Sequence, residues 1–137
     1  MESRWPKRIP ATQVRWTRFT SQLERIMTFY KEGLGLPELG ASQDEEGRMS
    51  ILFGLPGFNY HLEFIEQPAE ANMPDPLPDH SFEFYIPDDF AYEDLIERLA
   101  DLGHEPHPKE DSRWGDNAAV YHDPDGFRVV ICNSEGV

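Results

Sequence analysis

The spacing of apolar residues predicts a strand followed by a helix near the start of the chain. Residues 14–20 combine β-branched and aromatic side chains, a composition typical of strands. Ser21 and Glu24 have the spacing of a capping box, and from Leu23 onward apolar side chains recur at helical intervals. These side chains are Leu23, Ile26, Met27, Tyr30 and Leu34. Gly33 is expected to end this helix.

The same order of elements returns in the second half of the chain. After the first helix, an acidic loop leads into strands predicted at 48–53 and 59–66. A strand at 81–86 then precedes a second helix, which Gly103 ends. Its apolar positions have helical spacing: Tyr92, Leu95, Ile96, Leu99 and Leu102. Short strands are expected to follow near His104, at 118–122 and at 127–132.

A strand, a helix and three strands written twice form an internal repeat of about 55 residues. The repeat divides the chain into an N-terminal arm (1–12), a first βαβββ module (13–66), a proline-rich linker (67–79) and a second βαβββ module (80–132). Neither module can cover its own sheet, so the two are expected to pair. The sequence therefore predicts an α+β fold in which the concave faces of paired modules enclose a cleft, the default position for a ligand.

Composition narrows the classes of function. The 137 residues carry a net charge of −14, which argues against nucleic acid as a partner because phosphates are bound by Lys and Arg. Residues 1–31 nevertheless sum to +5, so the first strand either meets an anionic ligand or contributes to an ordinary charged surface. No segment resembles a signal peptide or a membrane span. Cys132 is the only cysteine, which favours a cytoplasmic location.

Three short motifs carry a resemblance to a known superfamily. They are FYKEGLGL at 29–36, HLEF at 61–64 and DPDGFR at 123–128. Their order and spacing resemble the helix end, the closing strand and the last hairpin of the vicinal-oxygen-chelate superfamily of glyoxalases, bleomycin-resistance proteins and dioxygenases. The resemblance spans about residues 13–132 and implies the same paired βαβββ modules.

The resemblance also implies where a metal would be bound. Enzymes of the superfamily hold a divalent metal with four ligands, and these positions fall here on Arg15, Glu63, Ser81 and Val130. Arg is always protonated and Val has no ligand atom, so two positions are lost. We therefore expect a protein that binds a small organic ligand in the cleft without a metal. Anionic molecules are among the ligands expected. A metal-dependent lyase or dioxygenase with a reduced ligand set is the alternative.

Glu63 has two competing interpretations. It shares a strand face with His61, and together with His80 these side chains would make a three-ligand metal site. His80 would need a bulge to face inward. Alternatively, Glu63 forms an ion pair with Arg15, since a carboxylate in a cleft needs a partner. We favour the ion pair.

Three further residues are candidates for ligand contacts. Arg18 and Arg128 could each bind a carboxylate or phosphate, or could be surface charges. Trp114 could stack on a ligand or pack on the edge of the domain. Exposed sheet edges favour a homodimer, with a monomer as the alternative.

Overall fold

The computed structural model describes residues 12–55, 57–68, 73–77, 80–107 and 116–136. Trp114 and most of the N-terminal arm lie outside them. Those residues of the linker that are described belong to no helix or strand. No helix in these ranges is long and apolar enough to cross a bilayer.

The first module is a four-stranded sheet with the order β1-β4-β3-β2. β1 (Val14–Thr20) pairs in parallel with β4 (Tyr60–Glu66), and β4 pairs antiparallel with β3 (Met49–Gly54). β2 (Glu38–Gln43) adds an antiparallel edge strand that the apolar pattern did not reveal. All six of its residues are exposed, so no alternation marks it.

The helix of this module changes its winding where the FYKEGLGL motif begins. α1 (Leu23–Met27) continues into a π-helical turn at Thr28–Gly33, in which the Leu34 N–H donates to the Phe29 carbonyl at 2.9 Å. A π-turn rotates less per residue than an α-helix, so the adjacent Phe29 and Tyr30 are both fully buried.

The predicted capping box in front of α1 is wrong. The N-cap residue is Gln22, and it makes no side-chain capping bond. The hydroxyl of Thr20 instead accepts a hydrogen bond from the Gln22 N–H at 3.1 Å.

The second module repeats the topology with a shorter sheet. β5 (Ser81–Tyr85) pairs in parallel with β7 (Arg128–Cys132), which pairs antiparallel with β6 (Ala118–His122). The strand predicted near His104 is reduced, in the described residues, to one bridge between His107 and Val120. First and last strands pair in parallel in both modules, which confirms the predicted α+β fold.

The second helix begins and ends where the sequence predicts. α2 spans Asp89–Asp101, and the Asp88 carboxylate accepts a hydrogen bond from the Ala91 N–H at 2.9 Å. Gly103 follows with a φ of 89°, a conformation that glycine adopts without strain.

Within the chain the modules meet through their helices. Arg98 of α2 donates to the carbonyl oxygens of Gly33 and Leu34 at 3.1 and 3.0 Å. One core cluster contains buried side chains of both helices and both sheets: Leu23, Ile26, Phe29, Tyr30, Leu34, Leu36, Ile51, Phe53, Leu62, Phe64, Leu95, Leu99, Ala119, Tyr121, Val129 and Ile131. The helix-facing sides of the two sheets therefore share one core.

The outer face of the first sheet, the face turned away from the helices, is open in the single chain. It carries the residues that alternate with the buried ones on each strand, such as Arg15, Phe19 and Glu63. Arg15 and Phe19 are exposed and Glu63 is half-buried. The exposure of Arg15 and Phe19 shows that the described residues of the second module leave this part of the face uncovered.

Candidate functional site

A large pocket lies between the two modules, beside their shared core. Its volume is about 1010 Å³, at the upper end of the range of small-molecule sites. Its walls come from the N-terminal halves of β1 and β4, from the loops around Gly35 and Gly54, and from the whole of β5. Its apolar and aromatic lining residues include Val14, Trp16, Phe53, Phe58, Tyr60, Leu62, Phe82, Phe84, Ile86 and Leu95.

Aromatic rings from both modules form the walls. Trp16 of β1 meets Phe82 of β5 edge to face, with ring centroids 4.8 Å apart. Phe82 and Phe84 are stacked at 5.0 Å, and Phe58 and Tyr60 at 6.4 Å. Trp16, Phe58 and Tyr60 are exposed although they are large apolar side chains. Such a surface is suited to the flat apolar part of an organic molecule.

A short row of polar side chains on β5 forms one edge of the pocket. The Glu83 carboxylate accepts hydrogen bonds from the Ser81 hydroxyl at 2.7 Å and from the Tyr85 hydroxyl at 2.6 Å. The bond to Glu83, burial and the nearby negative charge raise the pKa of Tyr85 to about 12. Both hydroxyls therefore keep their protons at neutral pH and direct them at Glu83.

Three of the predicted residues, Arg15, His61 and Glu63, lie on the outer face of the first sheet. Arg15 contacts Glu63 as predicted, with Nη1 and Oε2 3.5 Å apart, and the Thr17 hydroxyl donates to Glu63 at 3.0 Å. Arg15 also donates to the Gln13 side-chain oxygen at 3.1 Å, which turns the Gln13 amide nitrogen towards Nδ1 of His61. Nδ1 then accepts, so the proton of a neutral His61 is assigned to Nε2.

This network does not have the form of a metal site. Among the described residues, no three His, Cys, Asp or Glu side chains are grouped closely enough to hold a metal ion. His61 and Glu63 are bonded to Gln13, Thr17 and Arg15 instead. The alternative of a site formed by His61, Glu63 and His80 is therefore not supported by the arrangement of these side chains.

Arg18 is neither on the outer face nor a surface charge. Only 8% of its side chain is exposed, and Nη2 lies 2.7 Å from Asp123 and 3.2 Å from Asp125. The guanidinium lies 4.0 Å from the centroid of the Phe127 ring. Its Nε and Nη1 atoms have no hydrogen-bond partner in the described part of the chain. Arg18 thus ties β1 of the first module to the turn between β6 and β7 of the second.

Tyr30 completes this buried cluster. Its hydroxyl donates to Asp123 at 2.7 Å, while the other Asp123 oxygen accepts from the N–H groups of Asp125 and Phe127. Burial and the Asp123 carboxylate raise the pKa of Tyr30 well above its usual value of 10.0. The FYKEGLGL and DPDGFR motifs therefore meet in one hydrogen-bonded structural cluster.

The other predicted residues are distributed around the molecule. His61 and His80 both line the pocket. Arg128 lies opposite Ser81 of β5 and opposite His122 of β6 in the strand register, and it is half-buried. Trp114 falls outside the described residues.

Apart from Ser81, which the resemblance gave as a metal position, the residues of the polar row on β5 and of the aromatic walls were not named as site residues. A signal for them exists in the sequence Ser-Phe-Glu-Phe-Tyr at 81–85, where aromatic and polar residues alternate. Sequence alone does not show that the aromatic side of this strand faces Trp16.

The paired βαβββ topology places the chain in the vicinal-oxygen-chelate superfamily, and structural neighbours agree. FosX, a fosfomycin resistance protein of Listeria monocytogenes, matches with a TM-score of 0.69 and 17% identity over 92% of this chain and 94% of FosX. The trypanothione-dependent glyoxalase I of Leishmania major matches with a TM-score of 0.68 and 17% identity over 90% of this chain and 86% of that enzyme. At this identity both matches show the fold alone.

Within that superfamily, the chain belongs to the YycE-like family. The YycE-like N-terminal domain matches residues 14–65, and the YycE-like C-terminal domain matches residues 79–133. The uncharacterized protein YycE of Bacillus subtilis is 35% identical over 127 residues, which cover 93% of this chain and 91% of YycE. A crystal structure of Bacillus subtilis YycE, a protein of unknown function, matches with a TM-score of 0.84 and 34% identity over 96% of both chains.

Proposed function

We propose that this protein binds a small organic molecule in the pocket between its modules, by contacts from the protein alone and without a metal. The observation that carries the proposal is a pocket of about 1010 Å³ with aromatic walls from both modules. Burying apolar ligand surface there contributes about 25 cal/mol per Å², a driving force that needs no charged anchor.

The loss of metal ligands supports binding over metal-dependent chemistry. Arg15 and Val130 occupy two of the four positions that the superfamily uses for its metal. Arg15 donates to Gln13 and Glu63, and Val130 is fully buried.

We further propose that the protein acts as a homodimer in the cytoplasm. The outer face of the first sheet has apolar residues beside its charges, among them Phe19, Leu52 and Ile65. A second copy that covered this face would give the Arg15 guanidinium, which contacts Glu63, a partly dry setting in which to bind an anionic group of a ligand. Cys132, the single cysteine of the sequence, is buried, and a chain with one cysteine cannot form an internal disulfide, as is usual for proteins of a reducing compartment.

A thermal-shift screen with small aromatic compounds tests the pocket. Compounds that bind should raise the melting temperature of the wild-type protein, and Phe58→Ala should weaken the shift because Phe58 supplies exposed wall surface. Phe90→Ala is the matched control, since Phe90 is 85% exposed on α2 and does not line the pocket.

Two results would contradict the proposal. One is a set of hits that bind the Phe58→Ala protein as well as they bind wild type. The other is a full equivalent of tightly held divalent metal in protein purified without chelators or a histidine tag.

A further inference from the structure

We propose that the pocket between the modules accepts uncharged aromatic molecules and excludes ligands of the same shape that carry a charge of either sign. This inference rests on the proposed function, since it assigns a chemical class to the molecule that the pocket would hold. It concerns the aromatic walls and not the outer face that bears Arg15.

Strand alternation separates apolar from charged side chains on β1 and β5. Trp16 meets Phe82 edge to face, with ring centroids 4.8 Å apart, and this contact marks the pocket side of both strands. Successive side chains of a strand point to opposite faces, so Arg15, next to Trp16, lies on the other face of the first sheet. By the same rule, Glu83 lies on the face of β5 opposite to Phe82. The two strands therefore turn their aromatic side chains towards the pocket.

β4 has the same division between its two faces. Leu62 is buried and lines the pocket, whereas its neighbours His61 and Glu63 lie on the outer face. The strands of both modules thus give the pocket walls of apolar side chains.

The charged side chain on the pocket side of β1 is compensated within the fold. Arg18 shares a face with Trp16, but it is 8% exposed and its Nη2 lies 2.7 Å from Asp123 and 3.2 Å from Asp125. Arg18 is not a lining residue of the pocket. Its charge is therefore balanced by carboxylates of the second module.

Polar side chains border the pocket at its edge. Ser81, Glu83 and Tyr85 are lining residues, and the Glu83 carboxylate accepts hydrogen bonds from both hydroxyls at 2.7 and 2.6 Å. His80 precedes β5 and is exposed. A neutral polar group of a ligand can stay hydrated at this edge while its ring system contacts the apolar walls.

Apolar walls favour neutral aromatic ligands over charged ones. Phe82 and Phe84 are stacked with ring centroids 5.0 Å apart, and Phe58 and Tyr60 are stacked at 6.4 Å, so each module supplies a pair of rings. A flat neutral molecule gains contact with these rings and loses little hydration. A charged molecule loses hydration that apolar side chains do not replace, whichever sign its charge has. Selection is therefore expected against charge itself.

Three probes that share a naphthalene ring test this selection. At pH 7, 1-naphthaleneacetamide is neutral, 1-naphthaleneacetate is an anion and 2-(1-naphthyl)ethylamine is a cation. Dissociation constants are measured by titration calorimetry on the full chain in about 0.5 M sodium chloride, which screens the long-range field of a protein with a net charge of −14. The amide should bind about tenfold more tightly than either charged probe, because each charge loses part of its hydration.

A charge placed in the wall should change the selection. Phe58 is 63% exposed, so Phe58→Lys adds an ammonium group to the wall without disturbing buried residues. In this variant the gap between amide and acetate should shrink to about twofold or less, because the acetate gains an opposite charge. Phe90→Lys makes the same change of charge at an 85% exposed position that does not line the pocket, and it should keep the tenfold gap. Circular dichroism melts confirm that each variant is folded before affinities are compared.

The outcomes separate this inference from the proposed function. If wild type binds the charged probes as tightly as the amide, the pocket is a ligand site but the exclusion of charge is wrong. The exclusion is also wrong if the amine binds more tightly than the amide, or if Phe58→Lys and Phe90→Lys change the gap equally. If the amide and every compound of the thermal-shift screen fail to bind, the proposed function itself is wrong.

Discussion

Two arginines on one strand have opposite environments, and stability measurements should tell them apart. Arg18 is 8% exposed between Asp123 and Asp125, whereas Arg15 is 39% exposed beside Glu63. Arg18→Met leaves a buried carboxylate without its cation, and we expect a loss of about 3 kcal/mol in the free energy of unfolding. Arg15→Met should cost less than about 1 kcal/mol. Urea denaturation measures the loss of stability in each variant. Equal losses would contradict the conclusion that Arg18 stabilises the fold more than Arg15 does.

Tyr30 should make the protein sensitive to alkali. Its pKa is raised in the folded state, so the folded protein retains a proton that the unfolded chain releases above pH 10.0. The stabilisation is therefore complete below pH 10 and is lost as the pH rises towards the folded-state pKa. Tyr85 and Tyr121, each with a pKa raised to about 12, contribute in the same direction.

Urea denaturation between pH 8 and 11 tests this dependence on pH. Stability should fall above pH 10, and it should fall less steeply in Tyr30→Phe, which has no phenol to ionise. The same slope in wild type and variant would show that Tyr30 ionises normally.

At the scale of elements, the contact between the π-helical turn and α2 determines how the modules meet. A Cβ atom added at Gly33 would lie 2.8 Å from Cδ2 of Leu99, whose side chain is fully buried. We expect Gly33→Ala to cost roughly 1–3 kcal/mol by overpacking, less a gain of up to about 1 kcal/mol from helix propensity.

A double-mutant cycle with Leu99→Val isolates that contact. The valine substitution should be less harmful in the Gly33→Ala protein than in wild type, because it removes the clashing methyl group. Gly40→Ala is the control, since nothing lies within 4 Å of a Cβ atom there. Additive effects of Gly33→Ala and Leu99→Val would contradict the proposed contact.

At the scale of the whole molecule, the open outer face predicts association. We expect light scattering to give twice the chain mass of 15.8 kDa. Phe19→Glu places a charge at a 40% exposed apolar position on this face and should shift the mass towards that of one chain. Phe90→Glu, at an 85% exposed position on α2 and not on this sheet, should leave the mass unchanged. A wild-type mass near 16 kDa would exclude the dimer.

The elements that the sequence predicted are those whose pattern is local. The strands β1, β3 and β4 and the helix α2 carry clear apolar periodicity, and Asp88 and Gly103 mark the ends of α2. β2 was not predicted, because an exposed edge strand needs no alternation of apolar and polar residues. The helical region at 23–33 was found, but its π-helical winding depends on packing against the core and has no separate local signal.

The candidate site was predictable only in part, for the same reason. The resemblance to the superfamily, together with strand parity, placed Arg15 beside Glu63, and that contact is present. Parity puts Arg15 and Arg18 on opposite faces of β1, but it did not show that Arg18 is buried in ion pairs, because its partners lie in a turn more than 100 residues later in the chain. The aromatic pocket is formed by strands of different modules, and their approach is a property of tertiary packing.

By itself, the sequence determined a twice-repeated βαβββ pattern, the superfamily that its motifs indicate and the loss of two metal-ligand positions. These depend on residue identity and on spacings of two or 3.6 residues, which are written along the chain. The tertiary structure decided which sheet faces share a core, which arginine is buried and where rings and acceptors surround one space. Those outcomes depend on contacts between residues distant in sequence, which no local pattern encodes.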